Sequence, residues 1–162
     1  MLVKRAVLLM AVLTITSALV ATLAVGKASS VRKTYAVSGH GASAAISGKG
    51  IPGVPGSTQT SAGQIVGKPG GSGGIVTHVT FEANGASRGT TTVFLPLGSW
   101  GGPFTAKTTA NADGSLTIVI KNKITFGTGR YRGATGKVTV TSHAATAAAS
   151  VHTFTARGTI TY

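Results

Sequence analysis

The sequence predicts an all-β protein, one domain behind an N-terminal leader, on three observations. Downstream of Ser30 the apolar residues recur with period two, whereas a helix needs spacings of three and four. The same stretch is rich in Thr, Val and Ile, which fit a pleated, half-buried surface, and is punctuated by many of the chain's 24 glycines. The portion after the leader, about 130 residues, is the size of one domain and enough to bury one core.

The leader is "MLVKRAVLLMAVLTITSALVATLAVGKASS". Lys4 and Arg5 give a basic start, Ala6 to Val25 an apolar run, and Ala24, Gly26 and Ala28 small residues for cleavage. This is the anatomy of a secretory signal peptide over 1–29, cleaved near 24–30, which makes the protein secreted or envelope-associated. The alternative is an uncleaved anchor, because the run approaches the roughly 20 residues that span a bilayer. Thr14, Thr16, Ser17 and Thr22 interrupt it and favour cleavage, which leaves no membrane span. With no cysteine in the chain there is neither a lipid-attachment thiol nor a disulfide, so stability rests on an ordinary core over 30–162.

Taken in order, "TYAVSGHGASAAISGKG" predicts strands over 34–38 and 42–47. Residues 48–74 are rich in Gly, Pro and Ser and predict a long irregular loop, with a short strand at "GQIVG", that is either a mobile flap at a barrel mouth or simply disordered. "GIVTHVTFEANG" puts Ile75, Thr77, Val79 and Phe81 on a core face and Val76, His78, Thr80 and Glu82 opposite. "TTTVFLPL" and "FTAKTTA" are two further strands, and "NADGS" is a hairpin turn in which Asp113 serves geometry rather than acid chemistry. "SLTIVIKNKITF" is the clearest strand, with Leu116, Ile118, Ile120, Ile124 and Phe126 on one face. Thr117, Lys121, Lys123 and Thr125 lie on the other, where only Val119 is apolar. "KVTVTS" and "VHTFTARGTITY" complete the set, joined by the small-residue segment "HAATAAA".

"FGTGRYRGATGKVTVTS", Phe126 to Ser142, looks at first like a phosphate loop. A P-loop ending at Gly136 and Lys137 needs Gly at Tyr131 and a hydroxyl at Val138. The dinucleotide pattern begun by Gly127 and Gly129 meets Arg132 where its third Gly belongs. Both motifs also need a following helix, and a strand follows here. The stretch is therefore a glycine corner between strands.

"GTGRYRGATG" followed by an alternating strand and a terminal "FTARGTITY" resembles the second half of small secreted bacterial proteins of the allene oxide cyclase and dirigent superfamily. The match covers roughly residues 115–162, and upstream it rests on strand pattern alone. The resemblance implies a single antiparallel β-barrel of about eight strands, whose interior is filled by side chains or holds one small ligand. It also implies roles of two kinds, cyclising a reactive fatty-acid epoxide or steering the coupling of phenolic radicals.

The polar groups those reactions use do not transfer onto this chain. Glu82, the one acid in an expected strand, falls on the outer face beside His78, so no inward general acid or base is expected and no catalytic residue is assigned. The candidate ligand-binding residues are Asn122, Arg130, Tyr131, Arg132 and Trp100. Asn122 is the strongly polar residue on an apolar face and points inward, to orient a ligand carbonyl or to satisfy a buried group. Trp100, in "LGSWGGPF", is expected in a loop, stacking on a ring or packing beneath the loop. Arg130 and Arg132 flank Tyr131, either gripping an anion or standing in water while Tyr131 plugs the barrel end. His40, His78, His143 and His152 have no established ligand spacing, so neither a metal nor a cofactor is expected.

Charge is scarce and one-sided, with 15 Lys and Arg against Glu82 and Asp113 as the 2 acids. Setting aside Lys4, Arg5 and Lys27 with the leader leaves 12 cations against those 2 acids, a net charge near +10. Such a chain attracts polyanions such as teichoic acids, lipopolysaccharide, acidic polysaccharide or extracellular DNA, without a motif for a specific nucleic acid. Alternatively its basicity serves only solubility at an anionic wall, since the cations are spread along the sequence. The expected function is that of an exported, non-catalytic barrel binding an apolar small molecule or an anionic envelope polymer. The alternatives are a cavity-based isomerase, cyclase or stereochemical guide, and a structural extracellular matrix protein.

Overall fold

A computed structural model of the chain describes residues 31–48, 50–51, 54–146 and 149–162. The expected leader lies outside the described residues. Nine strands follow one another: β1 (Thr34–Ser47), β2 (Thr58–Lys68), β3 (Gly71–Phe81), β4 (Ala86–Leu95), β5 (Gly98–Ala110), β6 (Leu116–Ile124), β7 (Phe126–Gly127), β8 (Thr135–Ala144) and β9 (Val151–Thr161). All pairings are antiparallel, and β9 returns to β1 from Thr34↔Thr161 to Ala44↔Val151. Because β4 also pairs with β5, eight strands close into an antiparallel barrel, with the two-residue β7 added against β5.

Local chemistry accounts for the register. In β6 the side chains of Leu116, Asn122 and Ile124 are buried while Val119, Lys121 and Lys123 are exposed, because alternate positions point to opposite faces. The β5–β6 turn is held by Asp113, whose Oδ1 accepts from the Ser115 backbone N–H at 3.0 Å and from Ser115 Oγ at 2.6 Å. These bonds hold the Asp113 carboxyl below its usual range.

Residues 48–74 hold more strand than expected, although the short strand expected at 63–67 is present within β2. Thr58–Lys68 form β2, and β3 already begins at Gly71. Gly63 and Gly67 face inward, where a Cβ would meet the carbonyl oxygens of Ala42 and Ser38. Glycine here lets β1 and β2 lie close in a narrow barrel, a use of the residue that composition does not separate from a loop.

The barrel has two unlike ends. Turns after β2, β4 and β6 and the chain crossing at Lys33 and Tyr162 gather at one, the closed end; the turns after β1, β3, β5 and β8 form the other, the open end. The closed end is sealed by aromatic rings. Tyr35 stacks on Tyr162 at a centroid distance of 4.7 Å, and Tyr131 meets Tyr162 edge-on at 4.9 Å. Tyr131 is 1% exposed and arrives from the glycine corner, where Gly129 at φ +55 turns the chain so tightly that a Cβ would strike the Leu97 carbonyl oxygen. Behind the rings lie Val37, Val93, Trp100, Ile124 and Ile160. Fully burying each such aliphatic side chain contributes about 1.5–3 kcal/mol.

Two further expectations are corrected here. Trp100 lies within β5, opposite Val93, not in a loop. Phe126 does not continue the apolar face of β6, because that strand ends at Ile124 and Phe126 passes to β7 opposite Gly101. Its ring lies 40% exposed outside the barrel over the space left by the missing Gly101 side chain.

Candidate functional site

The interior changes character towards the open end, where inward side chains shrink and leave a cavity of about 110 Å³. Its lining is polar on one side and mixed on the other. Neighbouring strands β8, β9, β1 and β2 contribute Ser142, His152, Ser43, Gln59 and Ser61, while β3 to β6 contribute Val79, Phe81, Phe104, Ile118 and Ile120 together with the hydroxyls of Thr77, Ser87 and Thr108. The polar arc follows from register. Ser43 stands directly opposite His152, placing their Cβ atoms about 4.5–5.5 Å apart.

Part of this arc is already engaged. Gln59 Nε2 donates to Ser61 Oγ at 3.1 Å, and Ser142 Oγ donates to the Thr153 carbonyl at 3.1 Å. Deeper in, Thr77 and Thr91 hydroxyls are 3.4 Å apart. His152 can donate from one ring nitrogen and accept at the other, which makes it the most versatile group lining the cavity. Gly50, in the loop after β1, lies against Phe81 and Gln59 at the mouth.

His152 answers the search for an inward titratable residue, which sequence reasoning left empty. The signal was present: in "VHTFTA" it shares a face with Phe154 and Ala156, both buried. No carboxylate lines the cavity. Glu82 lies in the β3–β4 turn, paired with Arg88 Nε at 3.2 Å rather than with His78, and Asp113 occupies its turn. His78 instead has Nδ1 2.9 Å from Thr60 Oγ1 on the outer face.

The five candidate residues fall at the closed end or between it and the cavity. Asn122 points inward as expected, 8% exposed, one inward step from Ile120, and its Oδ1 has no hydrogen-bond partner in the protein. Trp100 is core, 5% exposed, and its Nε1 is likewise unpartnered. Tyr131 is part of the seal, and burial raises its phenol above the ordinary range. Arg130 and Arg132 are exposed around it. None of the five lines the open-end cavity.

A larger depression, about 380 Å³, lies on the outside of β2–β4. It is bordered by Thr58, Thr60, His78, Thr80 and Thr90 and lacks the apolar wall that desolvates a guest, so the internal cavity is the better site. Among the described residues no group of three or more His, Asp or Glu is placed to hold a metal ion, and no helix is long and apolar enough to cross a membrane. No family model, curated protein or solved structure matches the chain.

Proposed function

We propose that the protein is an exported, non-catalytic barrel that holds a small, largely apolar molecule with one hydrogen-bonding end. The observation that carries this reading is the mixed lining of the cavity, in which Val79, Phe81, Phe104, Ile118 and Ile120 supply apolar surface and hydroxyl groups with His152 supply a few polar contacts. Apolar surface supplies affinity and a few polar groups fix orientation, the usual division of labour in small-molecule sites. Size narrows the ligand. At 110 Å³ the cavity takes the place of about four waters, and it falls well short of the roughly 300 Å³ at which drug-sized ligands begin. A single small ring reaching towards the open mouth is the most this space takes, and a long acyl chain is too large for it.

The resemblance of the glycine corner to the allene oxide cyclase and dirigent barrels supports the same reading, since their barrels act chiefly by shaping an apolar guest. His152 favours a second reading, a cavity-based isomerase or cyclase in which the imidazole moves a proton, because it is the titratable side chain lining the cavity.

Amide chemical shifts recorded while p-cresol is added test the proposal. Shifts are expected for β3, β5, β6 and β9 at the open end, to be lost in Ala106→Phe, which puts a ring into the cavity. Shifts that persist in that folded variant, or none at millimolar p-cresol, would sink it. Turnover of a cyclisable phenolic substrate, abolished in His152→Ala, would replace it with the second reading.

A further inference from the structure

The sequence scatters its cations, but the barrel sorts them. Among the described residues only Arg88 and Lys107 lie at the open end. Arg88 is paired with Glu82, and Lys107 donates to the Asn84 carbonyl. Asp113 lies at that end too, so among the described residues two cations there accompany Glu82 and Asp113. The remaining described cations occupy the closed-end half, where no Asp or Glu is present.

Their arrangement on the outer face follows from strand register. One lateral row reads Lys121, Thr139, Arg157, Ser38, Lys68 across β6, β8, β9, β1 and β2, and beyond Lys121 it runs through Thr105 to Arg88, whose guanidinium Glu82 already holds. Neighbouring strands are about 4.8 Å apart, so the cations in this row recur about every 10 Å, each pair separated by a hydroxyl. The adjacent row sets Lys123 directly opposite Lys137. Like charges so placed are destabilising, and no Asp or Glu side chain lies at this end to relieve them. Arg130 and Arg132 at the corner and Arg32 and Lys33 ahead of β1 add to the same field. An open depression of about 350 Å³ runs over β1 between Lys68 and Arg157, also bordered by Ser38, His40 and Thr155.

Solubility requires net charge but not its segregation to one end. We propose that the closed-end half of the barrel is a docking surface for a linear phosphodiester polymer, laid across β6, β8, β9, β1 and β2 with the depression over β1 as its central seat. Alternating cations and hydroxyls are the contact set of phosphate oxygens, and the Arg157 fork can take two of them. No aromatic side chain interrupts the row, so the backbone is engaged and its substituents are not read. The cavity takes no part, and this surface stands or falls independently of the small-molecule reading.

The test is fluorescence anisotropy of the full chain with a labelled oligothymidylate of about 20 nucleotides, across salt concentrations. Affinity is expected to fall with salt at a log–log slope of about −0.7 for each phosphate neutralised. Replacing Lys68, Lys121 and Arg157 together by Ser is expected to make that slope shallower by about 2 and to weaken binding at least about tenfold near 50 mM salt. Lys107→Ser and Ala106→Phe are expected to bind as the parent does. Absence of salt-sensitive binding, or an equal loss in Lys107→Ser and the triple variant, overturns the proposal. Tighter binding to polygalacturonate or to phosphatidylglycerol vesicles overturns it as well, by assigning the surface to a carboxylate polymer or a membrane.

Discussion

At the scale of single residues, the seal and Asn122 show how burial sets behaviour. Burial raises the Tyr131 and Tyr162 phenols above the ordinary value of 10.0, so the folded chain keeps their protons at pH values where the unfolded chain has lost them. The contribution is fully present below that value and is lost as pH rises through the folded one. Thermal melts across alkaline pH are expected to show a steep fall in Tm, made shallower by Tyr131→Phe combined with Tyr162→Phe. Asn122 is a different case. Its buried Oδ1 has no partner in the protein, and an unmet polar group costs about 1–3 kcal/mol. Asn122→Val is therefore expected to stabilise the barrel by about 1 kcal/mol in urea unfolding. A loss instead would show that the amide holds a ligand or a buried water.

At the scale of elements, the strands differ in how openly they announce themselves. β6 was legible from Leu116 to Ile124, since its alternation is long and its apolar and charged positions hardly mix; only Phe126, read onto the same face, belongs elsewhere. The Asp113 turn was legible too, because few sequences other than Asp-Gly suit such a reversal. β2 was legible only at 63–67, because Ile65 is the one large apolar residue on an inward face that otherwise carries Gln59, Ser61, Gly63 and Gly67. Trp100 was misplaced for the same reason, with Gly98, Gly101 and Gly102 around it disguising a strand. The β6–β8 pair carries a prediction of its own. Lys137→Glu converts the repulsive cross-strand pair with Lys123 into an attractive one and is expected to stabilise by about 0.2–1 kcal/mol in urea unfolding at low salt.

At the scale of the whole molecule, the properties that matter most are those no local pattern carries. The face of His152 could be read from Phe154 and Ala156, but its position opposite Ser43 depends on pairing the last strand with the first. The segregation of charge likewise appears only once eight strands are in register. It has a thermodynamic signature. Cations crowded at one end repel one another, and screening shortens the reach of that repulsion to about 8–10 Å at 0.1–0.15 M salt. Added sodium chloride is expected to raise Tm, and the triple Ser variant to respond less; a flat or falling Tm would show that the cations are too far apart to interact.

Closure through β4–β5 and β1–β9 also bears on how copies of this chain can meet. Its sequence is dominated by alternating, threonine-rich segments, the composition from which cross-strand stacking between chains is readily built. Yet a closed barrel exposes no long row of unpaired N–H and C=O groups to template such growth. Assembly into a matrix would thus have to use side-chain contacts between intact barrels, or wait for β1 to part from β9 and bare the edges that closure conceals.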